Sequence, residues 1–286
     1  MARSTIIIAL AQYLTTGFEA LEDTEFEPAA RMGNNMTPNY EVKLLLDPTV
    51  VLGADKKLTA TVLSTFAITK VTKMNVQYLD KSSKVIYNAG WSPRIRKMEN
   101  KDDFEETYKK RYAVTYGDID GTLTLASSEG FDAGTTKYNA QIEWGYQKQT
   151  LSISHEKEAS GLGYSGMDLP NQGDSRRILI NDAPDKFIHF LSDNWGTAAL
   201  AESRIFGPVL AERSIGTWGP QKLYIEIWPI KDAAGTGIEY LVEASFKTNS
   251  RTDASKMRDD LIAILQGKEW FLPQDSQKTQ LIMDHY

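Results

Sequence analysis

The sequence predicts an α+β fold built around a mainly antiparallel sheet or barrel. Six separate stretches alternate polar and apolar residues with period two, and only a few helical stretches lie between them. Strands and helices also fail to follow the regular βαβ order that a parallel sheet requires.

Taken in order, residues 1–37 show no strand alternation and end in the turn-like cluster Gly33-Asn34-Asn35, so they are expected to form an appended N-terminal segment. Residues 38–286 are expected to form one domain, because no composition shift marks a linker. The alternating stretches are Tyr40–Leu44, Arg94–Arg96, Glu105–Tyr112, Gln141–Trp144, Leu223–Trp228 and Glu239–Lys247. Helices are expected over 54–66, with Leu58, Val62 and Phe66, and over 185–206 around Phe187, Ile188, Phe190 and Leu191. A third opens at Asp253, carries the stripe Met257, Leu261, Ile264 and Leu265, and closes at Gly267. The glycine-rich run from Ala159 to Asp174 reads as a long loop.

Composition narrows the chemistry. The chain of 286 residues is 41% hydrophobic and 24% charged, ordinary values for a globular protein. With no cysteine, a disulfide framework, a thiol nucleophile and any cysteine-based metal site are excluded. No window approaches the roughly 18 uninterrupted apolar residues of a membrane span. The short run Ile6–Ala11 imitates a secretory signal but breaks at Gln12 without a cleavage pattern, so a cytoplasmic address is expected. A net charge of −6 argues against a nucleic-acid footprint spread over the outer surface.

The polar faces of the strands are lopsided. Glu41 and Lys43 share a face, as do Arg94 and Arg96, Lys109 and Arg111 with Thr107, and Glu243 with Glu239, Ser245 and Lys247. If the sheet closes, these side chains converge on a lumen. Such a lumen calls for a guest, because like charges in a confined space repel and lose hydration. A polyanion with a divalent cation would satisfy it. The same pattern also fits solvated outer faces with incidental salt bridges.

The ordered set Glu41-x-Lys43, Gln77-Tyr78-Leu79-Asp80, Gly90 before Arg94-x-Arg96, and Thr107-Tyr108-Lys109-Lys110-Arg111-Tyr112 resembles the CYTH, or triphosphate tunnel metalloenzyme, superfamily. Glu212-Arg213-Ser214, Leu223 to Ile227 and Leu241 to Ser245 extend the likeness, which covers about 38 to 270. The resemblance implies an eight-stranded antiparallel tunnel, open at both ends and flanked by a few helices. It also implies a metal-assisted phosphohydrolase acting on a triphosphate- or diphosphate-containing small molecule. Lys43, Arg94, Arg96, Lys109, Arg111 and Arg213 would bind phosphate, Glu41, Glu226 and Glu243 would hold Mg²⁺ or Mn²⁺, and Glu41, Glu243 and Lys109 would be the catalytic groups. Glu143 has the parity of a further inward carboxylate. Asn39 and Ser245 stand where the family carries carboxylates, which weakens the metal site. An alternative is therefore a divergent, non-hydrolytic tunnel: a binding module for an anion, or a cyclase or lyase acting on an organic or isoprenoid-diphosphate substrate.

Other motifs carry less. Gly161-Leu162-Gly163-Tyr164-Ser165-Gly166 matches a dinucleotide fingerprint but follows no hydrophobic strand and opens no helix. No Walker loop or His-Glu-x-x-His occurs, and the three histidines are far apart. Trp144, Tyr146 and Trp228 read as packing residues, although Trp228 shares the parity of Glu226 and Trp91 could shape a tunnel mouth.

Overall fold

The structure, a computed structural model, describes residues 33–160, 163–275 and 277–286. The expected N-terminal extension therefore falls, through residue 32, outside the described residues. The described residues belong to one compact unit. Its strands are β1 (Asn39–Leu46), β2 (Lys70–Asp80), β3 (Trp91–Met98), β4 (Phe104–Val114), β5 (Asn139–Trp144), β6 (Gln149–Ala159), β7 (Arg204–Trp218), β8 (Gln221–Lys231) and β9 (Ile238–Thr248). The helices are α1 (Pro48–Val51), α2 (Ala60–Thr65), α3 (Val85–Asn88), α4 (Ile119–Ser128), α5 (Gln172–Asn181), α6 (Asp185–Ile188), α7 (Trp195–Ala201), α8 (Arg251–Gly267) and α9 (Lys278–His285).

The strands close into a barrel in the order β1-β5-β6-β4-β3-β2-β7-β8-β9. The expectation of eight antiparallel strands is corrected on both counts. Among the described residues there are nine, and strands that alternate direction cannot close a ring of odd number without one parallel pair. That pair is β1 with β5, in the register Glu41 opposite Glu143. All other neighbours are antiparallel.

β1, β3, β4, β5, β6, β8 and β9 turn apolar positions outward, where they meet the helices. Val42, Leu44, Ile95, Tyr108, Ile142, Ile153, Ile225, Ala244 and Phe246 are buried in this outer core, with Leu261 and Leu265 of α8 and Phe187 and Leu200 of α6 and α7. Trp91 belongs to it as well. It is fully buried, 5.3 Å from the Phe187 ring and 5.7 Å from Phe190, so it packs the core and shapes no tunnel mouth.

The interior is not open along its whole length. Toward the end where β1 and β8 finish, inward positions turn apolar: Leu45, Met74, Val76, Val209, Ala211, Ile230 and Leu241 pack against Ile282 and Met283 of α9. The expected helix over 54–66 reduces to α2, and that over 185–206 to α6 and α7, with β7 starting at Arg204. The break falls at the polar run Ser192-Asp193-Asn194, where Asn194 takes a left-handed φ of 59° that asparagine tolerates. Within the glycine-rich run, residues 163–171 are anchored to the outer face of β2 and α5 begins at Gln172. Asn75 donates to the Met167 carbonyl at 2.9 Å, and Gln77 donates to the Pro170 carbonyl at 3.0 Å and to Ser175 Oγ at 2.9 Å. The fingerprint match in that run falls partly on residues 161 and 162, outside the described residues.

Candidate anion-binding site

Period-two alternation puts one side chain in every two of each strand into the lumen, and the lumen is polar. A cavity of about 400 Å³ is lined by eight Lys and Arg side chains and five Glu. Lys43, Arg94, Arg96, Lys109, Arg111 and Arg213, and Glu41, Glu226 and Glu243, all line it. So does Glu143. Outer-face solvation, the other reading of the pattern, is excluded for these residues.

The charges are arranged in rows that the strand register dictates. Arg213 of β7 lies opposite Glu226 of β8, which lies opposite Glu243 of β9. Two carboxylates directly across a strand pair repel. The conflict is resolved from outside the sheet by Lys278, the first residue of α9, whose Nζ lies 2.6 Å from Glu226 and 2.8 Å from Glu243. Glu226 also accepts from Arg213 Nε at 2.8 Å and from Trp228 Nε1 at 2.8 Å, and Arg213 Nη2 pairs with it at 2.6 Å. Burial pushes Glu226 up, but the Lys278 ammonium and the Arg213 guanidinium outweigh it and hold its carboxyl below the usual range. For Glu243 burial wins and its carboxyl is raised.

A second row runs through Glu143. Its carboxylate binds Lys109 at 2.9 Å and Lys43 at 3.2 Å and accepts from Ser152 Oγ at 2.8 Å. Burial opposes its ionisation, yet these cations hold it well below the usual carboxylate range. Glu41 accepts from Gln141 at 2.6 Å and pairs with Lys43 at 3.1 Å. Burial and the neighbouring Arg111 and Lys43 push the Lys109 ammonium down to about 8, against the pull of Glu143.

The third group lies on β3 and β4. Arg96 is paired with Glu105 across the strands. Arg94 and Arg111, by contrast, have no carboxylate partner among the described residues. Arg94 donates to Thr107 at 2.8 Å, and Arg111 donates to Ser92 at 2.6 Å and to Thr279 at 3.1 Å. Both Nε atoms are buried with no acceptor among the described residues. Gly90 sets this arc. Its φ of +81° turns the chain into β3, and its carbonyl accepts the Arg111 amide at 2.9 Å, where a Cβ would stand 3.1 Å from the Arg111 oxygen.

A divalent ion on Glu41, Glu226 and Glu243 does not fit this arrangement. Glu226 already accepts three hydrogen bonds, and a second Arg213 nitrogen lies 2.6 Å from Oε1, so both of its oxygens are engaged by cations or by Trp228. Glu243 faces the Lys278 ammonium, and Glu41 is engaged by Gln141 and Lys43. Asn39 offers one buried neutral oxygen without a donor, and Ser245 a hydroxyl. Among the described residues no three Asp, Glu or His side chains converge as a metal site.

Sequence reasoning missed Lys278, Thr279, Tyr78 and Tyr224 in the lining. No local pattern marks Lys278. The one available signal was indirect, since two inward glutamates on neighbouring strands call for a cation. Trp228, read first as packing, lines the lumen and orients Glu226.

The closed barrel with inward basic and acidic side chains is the architecture that the resemblance to the CYTH superfamily implies. No family model matches the chain. No curated protein matches it either. Similar solved structures include a candidate adenylyl cyclase from Hippeastrum, described as having a dominant triphosphatase activity, at 12% identity with a TM-score of 0.48 over 85% of this chain and 93% of that one. Candidate adenylate cyclases from Bacillus halodurans and Vibrio parahaemolyticus follow at 12% identity, with TM-scores of 0.45 and 0.42, covering 86% and 87% of this chain and 98% of each of theirs. At such identities and scores nothing about the activity of this chain follows from them. Among the described residues no helix is long and apolar enough to cross a membrane.

Proposed function

We propose that the barrel binds a small phosphate-bearing anion in its lumen. The observation that carries this reading is the pair Arg94 and Arg111. Each is a permanent cation inside the cavity, lacks a carboxylate partner, and has a buried Nε with no acceptor among the described residues. A buried guanidinium with an unmet donor is unfavourable until an anion supplies the acceptor, and guanidinium geometry matches phosphate oxygens two at a time. On the same two strands Lys109 falls between Arg111 and Arg94 in register and Arg96 follows Arg94, so a chain of phosphates can meet several cations in succession. The excess of three cations over carboxylates in the lining favours a multiply charged ligand. Tripolyphosphate is the simplest probe. Titration calorimetry should give one site per chain, and Arg94→Met with Arg111→Met should remove it; retention of full affinity by the double variant would overturn the reading.

Hydrolysis of a phosphoanhydride is a second reading, favoured by Lys109. An ammonium brought down to about 8 can hold a proton near neutral pH and release it to a departing phosphate oxygen. Positioning and charge stabilisation by the arc would supply the rest. Phosphate release from tripolyphosphate, ATP and thiamine triphosphate, measured with and without Mg²⁺ or Mn²⁺ and repeated with Lys109→Met, tests it. Binding without turnover on any of these would leave a cytoplasmic anion-binding module as the function.

A further inference from the structure

We propose that Lys278 is a built-in cation occupying the position between Glu226 and Glu243 that a divalent ion would take, so that the tunnel binds its anion without a metal. This rests on the anion-binding reading and adds to it a statement about which form of the ligand is taken.

Three features of the structure support it. The first is saturation. Lys278 Nζ sits within hydrogen-bond distance of both carboxylates, at 2.6 and 2.8 Å, and joins Arg213 and Trp228 in engaging both oxygens of Glu226. A metal could bind there only by expelling the ammonium and breaking these contacts. The second is anchoring, because a lysine that substitutes for a fixed ion must itself be fixed. The segment before α9 is held by Asp275, which accepts from the backbone amides of Tyr146, Gln147 and Lys148 at 2.6, 2.8 and 3.0 Å. The far end of α9 is held by Lys84 with Asp284 at 2.7 Å and by Arg204, which donates to the Tyr286 carbonyl at 2.7 Å. Ile282 and Met283 fill the apolar end of the barrel. The third is coupling to the arc. The neighbouring Thr279 accepts from Arg111 at 3.1 Å and donates to the Tyr78 hydroxyl at 3.1 Å, so one short helix delivers both the internal cation and a ligand for an anion-binding arginine.

The consequence is electrostatic. The lining already carries three more cations than carboxylates, so a metal-chelated phosphate chain brings less negative charge to the same site than the free chain does. Free tripolyphosphate is therefore the preferred form, and added Mg²⁺ weakens its binding by forming the complex in solution.

The test is a Mn²⁺ titration of the full chain followed by electron paramagnetic resonance, alongside calorimetry with tripolyphosphate in EDTA. Wild type is expected to show no Mn²⁺ site tighter than about 100 μM and to bind tripolyphosphate in EDTA. Lys278→Met is expected to gain Mn²⁺ affinity at least about tenfold, while Lys278→Arg, which keeps the cation, stays at the wild-type level. A wild-type Mn²⁺ site that Glu243→Gln abolishes would overturn the proposal, and so would a folded Lys278→Met protein with no gain. If Lys278→Met does not fold, the wild-type titration and Lys278→Arg decide. Absence of tripolyphosphate binding in both EDTA and Mg²⁺ would instead remove the function proposed above, with the Mn²⁺ titration still judging Lys278.

Discussion

Replacing Glu226 by Gln tests whether the lumen charges form one interlocked set. The carboxylate serves Arg213 with Oε1 and serves Trp228 and Lys278 with Oε2. A glutamine keeps only one oxygen. Whichever way its amide turns, one side of the set loses its acceptor and meets an N–H donor instead. Removing one partner of a buried pair costs about 3 to 5 kcal/mol, and the water that a cavity of this size admits should reduce that to roughly 2 to 4 kcal/mol. For a unit of this length the melting temperature should fall by roughly 5 to 12 °C. The variant also frees Arg213 for a ligand, while Lys278 keeps Glu243, so saturating tripolyphosphate should raise its melting temperature more than that of wild type. Differential scanning calorimetry with and without tripolyphosphate measures both. A variant that melts within about 1 °C of wild type and gains no extra stabilisation from the anion would refute the interlocked arrangement.

Three further outcomes are expected. Arg94→Met and Arg111→Met should each weaken tripolyphosphate binding by about 10- to 100-fold in calorimetry, while Lys81→Met, at a surface pair with Glu202, should leave it unchanged. Because the Lys109 ammonium is charged below about 8 and neutral above, tripolyphosphate affinity should decline as pH rises from 7 to 9 by more than in Lys109→Arg, whose cation persists. On the outer face of β4, Glu106 is fully buried, and burial with the nearby Asp182 pushes it up to about 8. The folded state thus keeps a proton that the unfolded chain gives up near 4.5, and stability should drop as pH rises between those values. Glu106→Gln should flatten that dependence in thermal melts and raise the melting temperature at pH 8.

Much of the candidate site was legible because it lies on strands. On β1, β3, β4, β8 and β9, alternation alone assigns Glu41, Lys43, Arg94, Arg96, Lys109, Arg111, Glu226 and Glu243 to the polar face of their strands. What alternation could not say is whether that face looks inward or out to water. β2, β6 and β7 were harder to read. β2 carries polar residues such as Asn75 and Gln77 on its outward face, where the 163–171 segment supplies their hydrogen bonds. The pairing of β7 with β2 shifts register around Gly207-Pro208, and its first residues follow α7 closely enough to read as helix.

Lys278 shows where sequence reading ends. It belongs to an eight-residue helix with weak apolar periodicity, 35 residues from Glu243 and 52 from Glu226. Nothing local distinguishes it from a surface lysine. The sequence by itself determined the fold class, the parity of the charges and the resemblance that links them, because each depends on near neighbours along a strand. The tertiary structure alone decided that, among the described residues, nine strands close with one parallel pair and Arg94 and Arg111 lack carboxylate partners, and that an ammonium stands between the two glutamates. Those facts depend on barrel closure and helix docking, which bring together residues that no spacing along the chain relates.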